Sequence, residues 1–236
     1  MRQGLVAAGE HPSPIDYAHF TTTSTYKQLF GPRGGLILIG KEANTLSPDK
    51  NRTLPEMIQK AVFPFFQGTP NLGSIAAKAR ALAIVASPEF KILANRIIAN
   101  AKALAQCLAD KGYMIVTKGT DNHIVLVNVL QSNITGTVAE RALEDCGIIV
   151  NKNRIPGDKK AAMIASGIRL GTNSLAFRGL GPNEMSDCAD LIHRVLQSIK
   201  MLNDYDYEID RRTIETVSND VSQMCKAFPL PTYRLP

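Results

Sequence analysis

The chain has 236 residues, 44% hydrophobic and 20% charged, which is enough to bury a core in one or two domains and too apolar for a disordered segment. Its 27 Lys and Arg outweigh 21 Asp and Glu, for a net charge of +6, but the basic residues are dispersed, without the Lys/Arg stripe and interleaved aromatics of a nucleic-acid binder. No apolar run is long enough to span a membrane, the N-terminus lacks the apolar core of a signal peptide, and Cys107, Cys146, Cys188 and Cys225 form neither a CxxC pair nor a zinc spacing. The expectation is a reduced, cytoplasmic protein with no metal site, no membrane association and no nucleic-acid partner.

In chain order, Gly4-Leu-Val-Ala-Ala-Gly9 reads as a short helix or turn, followed by the punctuation His11-Pro-Ser-Pro14. The β-branched run Thr21 to Thr25 favours a strand. Leu36-Ile-Leu-Ile39 is a short apolar run that reads as a buried strand, and Gly31-Pro32-Arg33-Gly34-Gly35 between the two is a dense turn signal. Lys27 lies just past the first strand. A lysine there, set against an apolar wall, loses its proton more easily because burial disfavours the ammonium form. That property suits a lysine that forms a covalent bond to a carbonyl.

Residues 41–60 are polar and read as a surface excursion. Ala61-Val-Phe-Pro-Phe-Phe66 then gathers apolar side chains around one proline, and Ser74 to Ala86 is helical in composition. A domain boundary is expected near Ser87. Ser87-Pro88-Glu89 opens a helix, with an N-cap serine, proline at the first position and an acid in the first turn. Phe90, Leu93, Ile97, Ala101, Leu104 and Leu108 continue it at three- and four-residue steps until Gly112.

Beyond Gly112, Ile115-Val116 and Ile124 to Val127 read as strands around the turn at Gly119-Thr120-Asp121. Thr137-Val-Ala-Glu140 has the form of a capping box for a helix ending at Gly147. Ile148 to Val150 and Ile168 to Leu170 read as two further strands. Met185, Cys188, Ala189, Ile192, Val195, Leu196 and Ile199 form a helical stripe, and Ile214, Val217, Val221 and Met224 another. Helices with short strands predict a compact α+β layer domain.

The stretch TTTSTYKQLFGPRGG around Lys27 resembles the segment of serine hydroxymethyltransferases that carries the lysine bound to pyridoxal phosphate. The resemblance continues through Val62-Phe-Pro64, Gln67-Gly68, Gly119-Thr-Asp-Asn-His123, Val150-Asn-Lys-Asn153, Pro156-Gly-Asp158, Gly167-Ile-Arg-Leu-Gly-Thr172, Arg178-Gly179 and Phe228-Pro-Leu-Pro231. It implies an α/β fold of the aspartate-aminotransferase-like class. Residues 1–86 would be the C-terminal part of the cofactor-binding large domain, with an incomplete sheet, and residues 87–236 the small α+β domain.

In that family the first residues of this chain fall near the middle of a longer polypeptide. The phosphate loop, the aromatic stacked on the pyridine ring and the aspartate on the ring nitrogen all lie upstream. The resemblance therefore implies the C-terminal half of a split enzyme, completed by a second polypeptide in a hetero-oligomer. Asp16-Tyr-Ala-His19 looks superficially like the aspartate motif, but it falls in the approach to the lysine strand and reads as a polar turn.

Residue by residue, the resemblance places Lys27, Ser24, Gly68 and Thr69 at the cofactor, with Lys27 and Tyr26 catalytic. Arg169 would grip the substrate carboxylate, a task that suits the guanidinium fork. Arg33 would brace the lysine loop, and Asn153 would lie near folate; His123 would orient a turn. Three positions depart from the family, one of them Gly73, where the family's Pro-x-x-His has histidine and this chain has Pro70-Asn71-Leu72-Gly73. Tyr26 replaces the histidine that precedes the lysine, and its phenol, with an ordinary pKa of about 10, does not titrate where histidine does. Thr69 replaces a second glycine, and threonine is expected to avoid positive φ and reshape that turn.

Pyridoxal phosphate, with tetrahydrofolate as a possible one-carbon partner, would support aldol-type cleavage or formation of a Cα–Cβ bond in a β-hydroxy amino acid. A diverged threonine aldolase or transaldolase, and a non-catalytic partner subunit, are the alternatives.

Overall fold

The computed structural model describes residues 2–231. They divide into two compact units, with the division between Ala94 and Asn95. Among the described residues no helix is long and apolar enough to cross a membrane.

The first unit opens with helix α1 (Gln3–Ala7), which buries Leu5 completely. Gly4 is required by close approach, because a Cβ there would lie 2.7 Å from Cβ of Gln28. Strand β1 (Thr21–Ser24) pairs antiparallel with β2 (Gly35–Leu38), Thr21 opposite Leu38 and Ser24 opposite Gly35. Helix α2 (Leu54–Lys60) starts at a capping box between Thr53 and Glu56. Ala61–Phe66 is an irregular turn containing a cis Phe63–Pro64 bond. Helix α3 (Leu72–Val85) is capped by Asn71, and α4 (Pro88–Asp110) by Ser87, whose hydroxyl accepts from the Phe90 amide at 3.3 Å. Leu29, Val85 and Phe90 form the small core here, with Leu36 and Leu93 packed against it.

The expectation that Leu36 to Ile39 is a buried strand is corrected. Ile37 and Leu38 are 43% and 39% exposed. The pairing forms as read, but the sheet has two strands, and no second layer among the described residues covers this face.

The second unit continues α4 to Gly112, whose φ of +88° provides the left-handed stop. Next come β3 (Met114–Ile115), β4 (Ile124–Asn128), helix α5 (Gly136–Asp145), β5 (Asn151–Asn153) and β6 (Gly167–Gly171). The four strands form an antiparallel sheet in the order β3-β4-β6-β5. Helices α6 (Asn173–Arg178) and α7 (Met185–Ser198), the hairpin of β7 (Lys200–Met201) and β8 (Tyr207–Glu208), and α8 (Arg211–Ala227) complete it. Side chains from α4, α5, α7 and the sheet share one core, including Leu108, Val125, Val127, Leu143, Ile168 and Val195. The helical stripes read from the sequence supply it, because residues three and four apart share a face.

Two local readings are corrected. The cap of α5 is Thr135, not Thr137: its hydroxyl accepts from the Val138 amide and donates to the Asp204 carbonyl. The Thr137 hydroxyl instead donates to the carbonyls of Met163 and Ile164, and Glu140 pairs with Lys152. Gly136 lets the helix start this close to the sheet, since a Cβ there would lie 2.5 Å from the Gly167 carbonyl oxygen. The strand expected at Ile148 to Val150 is Asn151–Asn153, and Ile149 is 77% exposed. Pairing with the edge of β6, rather than β propensity, decides which residues become the strand.

Tertiary hydrogen bonds hold the outer segments. The Tyr207 hydroxyl donates to Asp145 at 2.5 Å, and the Arg141 guanidinium lies 5.5 Å from the Tyr207 ring centroid. Burial first, and then the Asp145 carboxylate, push the Tyr207 phenol above the ordinary range. The four cysteines are free thiols, and burial pushes the Cys188 thiol up to about 11, which keeps it unreactive.

Asp158 organises the loop before β6. Its carboxylate accepts from the amides of Ile155, Lys160 and Ser166 and from the Ser166 hydroxyl. Burial acts to raise its pKa, but these donors outweigh it and hold the carboxyl below its ordinary value. A depressed folded pKa contributes stability that is complete above the ordinary value of about 4 and is lost as pH falls through the lower folded value. Asp158→Ala is expected to lower unfolding free energy by about 1–3 kcal/mol at neutral pH, from the donors left unpaired, measured by urea denaturation. Asp158→Asn should show a shallower loss of stability than wild type as pH falls below about 4; parallel curves would show that the carboxylate charge is immaterial.

Candidate active site

In the first unit the site is built on the loop between β1 and β2. Thr25, 2% exposed, closes it in three ways. The Thr25 amide donates to the Gly34 carbonyl at 3.0 Å, its carbonyl accepts from the Gly31 amide at 2.9 Å, and its hydroxyl donates to the Pro32 carbonyl at 2.5 Å. Residues 26–30 are thereby held as a turn that buries Gln28 and Leu29 and exposes Tyr26, Lys27 and Phe30, with the Phe30 amide donating to the Lys27 carbonyl at 3.1 Å. From the far side, the Lys78 ammonium donates to the Gly35 carbonyl at 3.5 Å. It also fills the space at Gly34, where an added Cβ would come within 2.7 Å of it.

Lys27 is exposed, which corrects the expected apolar wall: no such wall is present among the described residues. It makes no ion pair among them. Its neighbour is the Tyr26 ring, with Lys27 Nζ 5.7 Å and the Arg33 guanidinium 4.9 Å from the ring centroid. Two cations thus share one aromatic ring, an attraction that positions both without neutralising either. Ser24 is tied to α1 through Gln3, whose amide donates to the Ser24 carbonyl at 3.3 Å and to its hydroxyl at 3.5 Å.

Gly68 and Thr69 lie in an exposed turn before α3. Nothing lies within 4 Å of a Cβ placed on Gly68. Thr69 has φ of +40°, contrary to the expectation that threonine avoids positive φ there. A β-branched side chain in this conformation stores local strain.

In the second unit, alternation along β6 sends Ile168 and Leu170 into the core and Arg169 to the other face, where it is half-buried. Arg169 stands directly across from Asn151 on β5, and its Nε donates to Asn151 Oδ1 at 2.9 Å. Anchoring Nε leaves the terminal nitrogens of the fork for a carboxylate. Asn153, two residues along the same strand, donates to the Arg154 carbonyl at 2.6 Å. His123 is buried where the chain enters β4, its carbonyl accepting from the Thr172 amide at 3.2 Å.

The structure places Tyr26, Lys27 and Arg33 on one loop, with Ser24 at the end of β1 beside it. Gly68 and Thr69 are in the same unit, and Arg169 and Asn153 in the other. Three contributors escaped the sequence reading. Thr25 is one of several threonines in a run, and only its burial marks it. Lys78 looks like any surface lysine on a helix. Asn151 gains its role from strand register, which no local pattern signals.

The lysine-bearing turn between two strands and the braced arginine on β6 both lie within residues 2–192, the span matched by the family model described as serine hydroxymethyltransferase. The chain belongs to the serine hydroxymethyltransferase family.

Proposed function

We propose that this chain is the lysine-bearing part of a pyridoxal-phosphate-dependent, hydroxymethyltransferase-like enzyme acting on the Cα–Cβ bond of a β-hydroxy amino acid. The observation that carries this reading is the exposed amine of Lys27, free of ion pairs among the described residues, on a turn braced by Thr25. The residues present fit the cofactor. Lys27 would hold it covalently through its amine, and Ser24 would lie beside it. The exposed turn at Gly68 and Thr69 would offer backbone N–H groups to a phosphate. When bound, the cofactor supplies an electron sink for cleavage at the amino-acid Cα.

Other roles fall to this chain's own side chains. Arg169 would orient the substrate by its carboxylate, with Asn151 fixing the plane of the guanidinium. Arg33, stacked on Tyr26, would stabilise the loop and add positive potential near Lys27. Asn153 would face the folate when tetrahydrofolate serves as the one-carbon partner. The tyrosine at position 26 favours a second reading, a diverged aldolase or transaldolase, because it stands where the family has histidine and its ring holds Lys27 and Arg33.

A second polypeptide would complete the large-domain sheet in a hetero-oligomer, with residues 1–86 as the large-domain part and 87–236 as the small domain. Support comes from the two-stranded sheet with exposed Ile37 and Leu38, and from Phe63, Phe65, Phe66 and Leu72, which are 49%, 76%, 78% and 72% exposed. Open strand edges and apolar surface favour association.

Borohydride reduction in the presence of pyridoxal phosphate should label Lys27, located by peptide mass spectrometry. An undiminished label in Lys27→Ala would remove Lys27 from the proposed role. Arg169→Lys loses the planar fork, and should raise the amino-acid KM roughly tenfold or more while cofactor binding stays unchanged; wild-type kinetics would make the arginine structural. Full cleavage of a β-hydroxy amino acid by the homogeneous chain alone would remove the need for a second polypeptide.

A further inference from the structure

Between the middle of α4 and the loop after β3 lies a polar cleft of about 190 Å³, lined by Lys102, Gln106, Lys118, Gly119 and Thr120 above Ala105. Lys102 and Lys118 are exposed, and neither forms an ion pair among the described residues. No carboxylate lines the cleft. Asp110 accepts from the Gln106 amide at 2.7 Å, and Asp121 from the Asn122 amide at 3.2 Å. Two ammonium groups therefore line one concavity without an ion pair among the described residues.

The loop backbone adds a donor. Thr117, Lys118 and Gly119 have φ of +65°, +58° and +153° in succession, a run that two non-glycine residues adopt only against steric resistance. The Thr117 hydroxyl holds it by donating to the carbonyls of Val116 and Gly119, at 2.5 and 3.2 Å. Within this loop the amide N–H of Thr120, just past the 3-10 turn Val116–Lys118, meets no protein acceptor among the described residues. An unpaired N–H beside a left-handed turn and two ammonium groups are elements of an anion site.

We propose that this cleft binds the phosphate or pyrophosphate group of a small molecule. Lysines act as point charges that suit a tetrahedral phosphate, whereas a carboxylate is matched by the planar fork of arginine, which the cleft lacks. A single pair of lysines in one cleft, with no aromatic ring among its lining residues, suits a small ligand rather than a nucleic-acid strand.

The test is titration of the full-length chain with inorganic pyrophosphate at constant ionic strength, followed by amide chemical shifts. Saturable shifts are expected at Lys118, Gly119 and Thr120. Lys102→Gln/Lys118→Gln should weaken binding roughly tenfold or more through loss of two charge-assisted contacts. Unchanged circular dichroism and Tm would confirm that this variant is folded. Non-saturating shifts, equal affinity in the folded double variant, or equal binding of citrate would overturn the proposal. Tighter binding of a short single-stranded RNA than of pyrophosphate would also overturn it.

Discussion

Strand β6 is hydrogen-bonded along both edges, to β4 and to β5, and the architecture of the second unit depends on that double pairing. Five residues in alternation face two ways: Ile168 and Leu170 enter the core, and Arg169 stands on the opposite face. A slip of one residue would bury the guanidinium and expose both apolar side chains. The core that fixes the register thus also aims the arginine, so the energetics of packing and the placement of a functional group are the same constraint. Gly136 and Gly167 serve it too. A side chain at either would collide with a neighbouring backbone carbonyl, at 2.5 Å and 2.7 Å respectively, separating α5 from β6 or β6 from β4.

The first unit rests on a different balance. Among the described residues its hairpin joins no further strand, and Leu29, Val85 and Phe90 form one small core cluster. Local hydrogen bonds do the positioning that packing does elsewhere. Thr25 closes the loop through its amide, carbonyl and hydroxyl, and the Tyr26 ring collects Lys27 and Arg33. Such a turn is well defined in its backbone and open to solvent around its amine.

Much of this was legible in the sequence because it depends on local chemistry. Thr21 to Ser24 and Gly35 to Leu38 pair around the Gly-Pro-Arg-Gly-Gly turn because β-branched and apolar runs separated by turn residues have few other solutions. Ser87, Gly112 and the stripes of α7 and α8 mark helix ends and faces for equally local reasons. The ordered motifs around Lys27 and Arg169 carried the family resemblance that the match over residues 2–192 supports.

What tertiary structure alone decided are the features set by distant partners. The cap of α5 moved to Thr135 because Thr137 found acceptors at Met163 and Ile164, and Glu140 a cation at Lys152. The polar Asn151 to Asn153 became a strand, and the apolar Ile148 to Val150 did not, because the free edge of β6 met those residues. The exposure of Lys27 and Ile37 reflects which surfaces are covered, a quantity no window of sequence contains. The sequence by itself determined residue chemistry, helix faces and turns, whose causes lie within a few residues; register, burial and the bracing of Arg169 by Asn151 depend on contacts between residues far apart in the chain.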